Sequence, residues 1–212
     1  ITLTITASET VTGLVCTIDG EATTMGGSGT AWTSALTISG DETEQNTVFS
    51  CASHVDAAGN AGVTDTTANS GAVIVDYTAP TSTSAVIATS GTGNANDADV
   101  VTLTLNPSET VGTPTCTWTD GSGAMADTSV TYGTTGVDSH TAAVTVANAD
   151  EDGAVGFSCT YSDLAGNAIA TAITSTSDSS SVTIDNTHPT LTAVGIATDG
   201  SGNSNNGDVV TL

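Results

Sequence analysis

The chain has 212 residues, of which 23 are Asp or Glu and none is Lys or Arg, so its formal net charge is −23. Without Lys and Arg it has no means of holding nucleic-acid phosphates or an anionic membrane surface, and both partner classes are excluded. Apolar residues make up 37% and aromatic residues 3% of the chain, so any core must consist mainly of small and aliphatic side chains.

The chain opens on an alternating segment in which Ile1, Leu3 and Ile5 fall on one face, the period-2 pattern of a half-buried β-strand. Similar alternation recurs at residues 36–38, 101–105, 144–146, 155–161 and 194–196. Clusters of Gly, Asn, Asp and Ser separate these runs at the spacing typical of a β-sandwich, and no segment has a helical period. The sequence therefore predicts an all-β fold.

Several blocks of the chain occur twice. Residues 1–11 match residues 101–111, Asp-x-Ala-Gly-Asn occurs at 56–60 and 163–167, and Asp-x-Thr-x-Pro at 76–80 and 185–189. The offset grows from 100 to 109, so the second copy carries extra residues, mainly at 121–140. Self-similarity at a fixed period is typical of repeat arrays, and a unit of about 100 residues is the size of a domain.

The two proline-containing segments are the best candidates for linkers, because Pro80 and Pro189 stiffen the chain and hold the preceding residue extended. We expect residues 1–77 to form a repeat that lacks its first strand, residues 78–187 a complete repeat, and residues 188–212 the opening strands of a following repeat. On this interpretation the sequence is a segment of a longer array of repeats.

Each copy contains two cysteines, Cys16 with Cys51 and Cys116 with Cys159. All four lie on predicted strands with apolar neighbours, and neither a Cys-x-x-Cys motif nor clustered His supports a zinc site. We expect one disulfide within each repeat, which implies an oxidising compartment such as the cell exterior. Two buried free thiols per repeat are the alternative.

Acidic residues recur at matching positions near the expected ends of the repeats. Oxygen atoms of Asp, Glu and Asn are the ligands that Ca²⁺ prefers, six to eight at a time, so we expect calcium at the junctions between repeats. The candidate ligands are Glu9, Asp56, Asn60, Asp76, Asp99, Glu109, Asp163, Asn167, Asp185 and Asp208. The alternative is a turn, because Asp-x-x-Gly-Asn favours local hydrogen bonds to Asp and a positive φ at Gly.

The order Ser-Glu-Thr-Val, Asp-x-Ala-Gly-Asn and Val-x-x-Asp-x-Thr-x-Pro-Thr, present in both copies, resembles the bacterial immunoglobulin-like (Big-type) tandem repeats of giant extracellular adhesins and surface fibres. The resemblance implies tandem immunoglobulin-like β-sandwich domains of Greek-key type, at the cell surface and often stiffened by calcium. The chain departs from the family pattern in its cysteine pairs and its lack of basic residues.

These features predict a non-enzymatic structural segment, the stalk of a cell-surface adhesin, whose partners are the neighbouring repeats of the same chain. One alternative is the subunit of a self-assembling extracellular filament or sheath, a homopolymer formed by lateral packing or strand exchange. Another is a carbohydrate-binding module, and a glycan or surface receptor could also bind elsewhere in the parent protein. No catalytic residue is predicted, because His54, His140 and His188 lack ligand spacing and no nucleophile elbow occurs.

Overall fold

The computed structural model describes residues 1–136, 138–198 and 202–211. Over these residues the regular elements are all strands, so the predicted all-β class is confirmed. This part of the chain contains no helix long and apolar enough to cross a membrane. Its contacts define two compact units. The first comprises Ile1–Thr81, Pro107–Gly112 and Thr160–Thr171, and the second comprises Ser82–Asn106, Thr113–Cys159 and the described residues from Ala172 onward.

The first unit is built from antiparallel strands. They are β1 (Thr2–Val11), β2 (Val15–Ile18), β3 (Glu21–Ala22), β4 (Thr24–Ala35), β5 (Gln45–Asn46), β6 (Phe49–Ala52) and β7 (Ile74–Val75). Strand β1 pairs with β4, β2 lies between β3 and β6, and β5 pairs with β7. In the β1–β4 pair, Leu3 lies opposite Ser34 and Ile5 opposite Trp32.

Ile18 and Val75 of the first unit are buried. Leu14, Cys16 and Cys51 form a small buried cluster in the same unit. Leu3, Ile5, Met25, Trp32 and Phe49 pack against them and are only partly buried. The apolar face of the opening strand, formed by Leu3 and Ile5, therefore packs against this cluster, but both side chains remain partly exposed.

The second unit has a fuller core. The strands that begin in it are β8 (Ser82–Thr89), β9 (Val100–Pro107), β10 (Thr115–Thr119), β11 (Thr131–Gly136), β12 (Ser139–Thr145), β13 (Gly153–Ala154), β14 (Gly156–Thr160), β15 (Thr183–Ile184), β16 (Ala197–Thr198) and β17 (Val210–Thr211). The largest sheet has the order β11-β12-β9-β8, and the remaining pairs are β10-β14, β13-β15 and β16-β17.

Strand β9 lies inside the largest sheet and shows the period-2 pattern most clearly. Its apolar side chains Val101, Leu103 and Leu105 are completely buried. Across the ladder Leu103 faces Ala142 of β12, which is also completely buried. Nearby strands complete the core, where the rings of Trp118 and Phe157 lie 6.2 Å apart.

Both disulfides join neighbouring strands. Cys16 lies directly opposite Cys51 in the β2–β6 pair, and the bond between Cys116 and Cys159 joins β10 to β14. None of the four cysteines is free. The pairing is the one expected from the sequence, and neither a zinc site nor free thiols account for these residues.

Two alternating segments do not form the strands that their pattern predicted. Strand β4 ends at Ala35, and the last ladder bond is donated by the N–H of Leu36 to the carbonyl of Ile1, at 2.9 Å. Strand β16 begins only at Ala197, so residues 194–196 lie outside it. Val194 and Ile196 are 64% and 74% exposed. Alternation sets which side chains share a face, but a strand also needs a hydrogen-bonded neighbour, and residues 37–38 and 194–196 have none in the described part of the chain.

Candidate metal centre

The Asp-x-Ala-Gly-Asn motif forms the same turn at both of its occurrences. In the second copy, Asp163 Oδ1 accepts hydrogen bonds from the backbone N–H groups of Gly166 and Asn167 at 2.7 and 2.8 Å. In the first copy, Asp56 Oδ1 accepts from the backbone N–H of Asn60 at 2.8 Å. The glycines of both turns have positive φ, 89° and 102°, which explains why Gly stands there. The turn interpretation of this motif is therefore correct for both copies.

In the second copy the turn also places Asp163 close to two other acidic residues. Asp76 follows β7, Glu109 follows the end of β9, and Asp163 follows β14. One carboxylate oxygen from each residue lies within 4.8 Å of those of the other two. All three residues belong to the first compact unit. Among the described residues, this acidic triad (Asp76, Glu109 and Asp163) is the single group of acidic, His or Cys side chains with such spacing.

Asn167 fixes two members of the acidic triad relative to each other. Its side-chain Nδ2 donates to Asp163 Oδ2 at 2.8 Å and to the backbone carbonyl of Asp76 at 3.1 Å. The third member is placed by the backbone, because a bridge pairs Val111, two residues after Glu109, with Asp163. Asn167 therefore acts as a positioning residue, with its amide nitrogen committed to these two acceptors.

The three carboxylates have different electrostatic environments. The pKa of Glu109 is raised above its usual value by burial first, and then by the negative charges of Asp76 and Asp163. Burial also acts to raise the pKa of Asp163, but the hydrogen bonds from Asn167 and Gly166 outweigh it and hold that pKa below its usual value. The chain has no Lys or Arg to neutralise the cluster. A cation placed between the carboxylates would relieve this repulsion.

The remaining predicted ligands are not brought together. Glu9 is exposed on β1, and Asp56 with Asn60 forms the first-copy turn. A backbone N–H of the same turn donates to each of the remaining candidates, Asp99, Asp185 and Asp208. The structure thus brings three of the ten candidates together beside Asn167, and it leaves Glu9 on a strand and the other five in local turns.

Two acidic residues that the sequence interpretation missed hold the segments after β7 and β15. The carboxylate of Glu44 accepts the backbone N–H of Tyr77 at 2.7 Å and the hydroxyl of Thr78. Asp152 accepts the backbone N–H of Asn186 and the hydroxyl of Thr187 in the same way. The signal that could have found them is a second recurrence of acidic residues, at 41–44 and 150–152.

Comparison of this chain with protein-family models, with curated proteins and with solved structures gives no match.

Proposed function

We propose that this chain is a non-enzymatic structural segment of an extracellular tandem-repeat protein and serves as the stalk of a cell-surface adhesin. In this proposal each repeat is an immunoglobulin-like β-sandwich of Greek-key type, closed by one disulfide and stiffened by calcium. The observation that carries it is the acidic triad, because Asp76 precedes the linker proline while Glu109 and Asp163 follow it. A cation held there would tie a linker to the sequence that follows it.

Local structure at matching positions supports the repeat interpretation. The β1–β4 and β9–β12 pairs place Leu3 opposite Ser34 and Leu103 opposite Ala142, and both partner residues are completely buried. The disulfides join neighbouring strands in both copies. Disulfides persist in oxidising compartments, which supports a location outside the cell.

The donor chemistry of the acidic triad fits calcium. Three carboxylates offer at most six oxygen atoms, and Ca²⁺ takes six to eight oxygen ligands in a flexible geometry that water can complete. Zinc in structural sites prefers Cys and His ligands, and the triad contains neither. Asp76, Glu109 and Asp163 would hold the ion, and Asn167 would keep Asp163 oriented through its hydrogen bond.

Calorimetric titration of the purified chain with Ca²⁺ tests the site. We expect one binding event per chain at the acidic triad, lost in Glu109→Gln. Glu9→Gln is the matched control, because Glu9 occupies the equivalent position of the first copy and is exposed on β1. Failure of the wild-type chain to take up calcium, or equal binding by Glu109→Gln, would contradict the calcium part of the proposal.

A filament or sheath subunit is the second candidate, and exposed apolar residues near the end of the sequence favour it. Leu191, Val194 and Ile196 are between 64% and 86% exposed. Electron microscopy of the purified chain separates the two functions, since a stalk segment gives single particles and a filament subunit gives polymers.

A further inference from the structure

One face of the largest sheet in the second unit is not part of the core. Every second side chain of β9 is buried, so the residues between them point to the opposite side of the sheet. The residues that alternate with the buried ones on β8 and β12 lie on that side too, and all of them are half-buried or exposed. We call the outward surface of β8, β9, β12 and β11 the outer face, and its centre consists of Thr102, Thr104, Thr141 and Ala143.

The outer face carries no charge, although the chain has a net charge of −23. Strands β8, β9, β11 and β12 contain neither Asp nor Glu. In the described part of the second unit, the acidic residues all lie between strands. Two copies can therefore bring their outer faces together without burying a carboxylate, which is costly for any group that lacks a cationic partner.

The chemistry of the outer face limits what can pack on it. An anionic partner is repelled by the chain, and a cationic partner is drawn to the segments that carry the carboxylates. The face thus suits a partner that is uncharged where the two surfaces touch. Its outward residues are small (Thr, Ser, Ala, Val, Asn and Gly), so the surface is even and fits a second copy of itself.

The central pairs of the outer face recur in the first copy. Thr104 lies opposite Thr141, and Thr102 lies opposite Ala143. The matching pairs of β1 and β4 have the same residue types, Thr4 with Thr33 and Thr2 with Ala35. The inward pair between them differs, because the leucine of β1 faces Ser34 whereas the leucine of β9 faces Ala142. Retention of the outward pairs where the inward pair changes points to a requirement on the surface.

We infer that the outer face of one chain packs against the outer face of a second copy of the chain, sheet on sheet. Both copies contribute the same residues, so the contact is isologous and closes as a dimer. Small side chains allow two sheets to approach to the usual spacing of about 10 Å. The inference goes beyond the proposed function, because neither a stalk nor a calcium site requires contact between chains.

The size of the outer face sets the strength of the contact. Strands spaced about 4.8 Å apart make the four-stranded sheet about 19 Å wide, and its strands are about 20 Å long, so the face covers about 400 Å² per copy. The total of about 800 Å² is below the 1,200–2,000 Å² of stable complexes, so a single contact is weak. The β10–β14 pair is also uncharged, but with two strands it offers about half that area. Repeats in an array would add such contacts and strengthen lateral pairing.

Sedimentation velocity of the full chain over a concentration series tests the inference. The series extends to about 1 mM, because a weak contact is populated only near its dissociation constant. The buffer contains EDTA and about 1 M NaCl, where a Debye length of about 3 Å screens repulsion between acidic copies. We expect the average mass of the wild-type chain to rise with concentration towards that of a dimer.

Thr104→Lys separates a contact at the outer face from general electrostatics. The lysine lowers the net negative charge and so weakens repulsion between copies, but it places a long cationic side chain at the centre of the face. Thr104→Lys should therefore stay monomeric. Thr117→Lys is the matched control, since Thr117 is exposed in the middle of β10, and it should associate at least as strongly as the wild type. Far-UV circular dichroism checks folding, and Thr141→Lys on β12 replaces Thr104→Lys if that variant does not fold.

A wild-type chain that stays monomeric at every concentration would overturn the inference. So would a folded Thr104→Lys variant that associates as strongly as Thr117→Lys. Because the buffer contains EDTA, neither result bears on the calcium titration, and the proposed function and the lateral contact fail separately.

Discussion

At the scale of single residues, the carboxylates of this chain fall into two groups by what surrounds them. Many accept hydrogen bonds from nearby backbone N–H groups, and at Asp120 and Asp127 these bonds favour the charged carboxylate and lower its pKa. Glu109 differs, since its pKa is raised by burial and by Asp76 and Asp163. The sequence predicted that Glu109 would be a ligand, but not which of the ten candidates it would meet, because the contact depends on residues far apart in the chain.

Replacing Glu109 by Gln should stabilise the first unit when no metal is present. A raised folded-state pKa means that the stability linked to Glu109 is fully present below the unfolded pKa and is lost as the pH rises through the folded pKa. In EDTA at about pH 7, Glu109→Gln should therefore melt about 1–3 °C higher than the wild type. This advantage should shrink as the pH falls through the folded pKa and disappear below the unfolded pKa of Glu, and a constant difference across pH would contradict the raised pKa.

Asp120 should give the opposite pH dependence in the second unit. Backbone N–H groups of Glu151, Ser122 and Gly123 lower its pKa to about 2. Stability from a lowered pKa is present above the unfolded pKa and is lost as the pH falls through about 2. Acid titration followed by circular dichroism should show a shallower loss for Asp120→Asn between those values. An equal slope in both proteins would show that these hydrogen bonds are not formed.

At the scale of strands, the sequence best predicted which side chains share a buried face, because that depends on residues two apart in the chain. The buried faces of β9, β12 and β14 follow the alternation. The cysteines pair within each copy because their strands lie side by side. The pattern failed at residues 194–196, where alternation is present but no partner strand completes the ladder. The alternation also gave no indication that Glu44 and Asp152 hold the segments after β7 and β15, because those contacts depend on the paths that the two segments take.

Removing either disulfide should destabilise the unit that contains it. Closing loops with sequence separations of 35 and 43 residues predicts a loss of about 3–4 kcal/mol for Cys16→Ala/Cys51→Ala and for Cys116→Ala/Cys159→Ala. The two losses should differ by only about 0.2 kcal/mol, because loop entropy depends weakly on length. Urea unfolding measures both, and losses below about 1 kcal/mol would contradict the chain-entropy argument.

Equivalent leucines of β1 and β9 should differ in what they contribute. Leu103→Ala leaves a cavity in a completely buried site and should cost about 2–5 kcal/mol. Leu3→Ala acts at a partly buried site and should cost less in the monomeric chain. Urea unfolding at low protein concentration compares them, and equal losses would mean that β1 is as fully covered as β9.

At the scale of the whole molecule, the absence of Lys and Arg dominates the energetics. A net charge of −23 opposes compactness, and no Lys or Arg offsets it. External cations therefore contribute to the stability of the folded chain, either by screening its charges as dissolved salt or by binding at a defined site. The two compact units also need not unfold together, so more than one thermal transition is expected. Diffuse screening should act on both transitions, whereas a cation at the acidic triad should act on the first unit.

Differential scanning calorimetry of the wild-type chain with Ca²⁺ and with EDTA, at constant ionic strength, decides whether a calcium ion at the acidic triad stabilises the first unit. We expect calcium to raise the transition temperature of the first unit and to leave that of the second unit unchanged. Glu109→Gln should abolish the rise, and Glu9→Gln should keep it. No calcium-dependent shift in the wild-type chain, or the same shift in Glu109→Gln, would rule out a stabilising calcium site at the acidic triad.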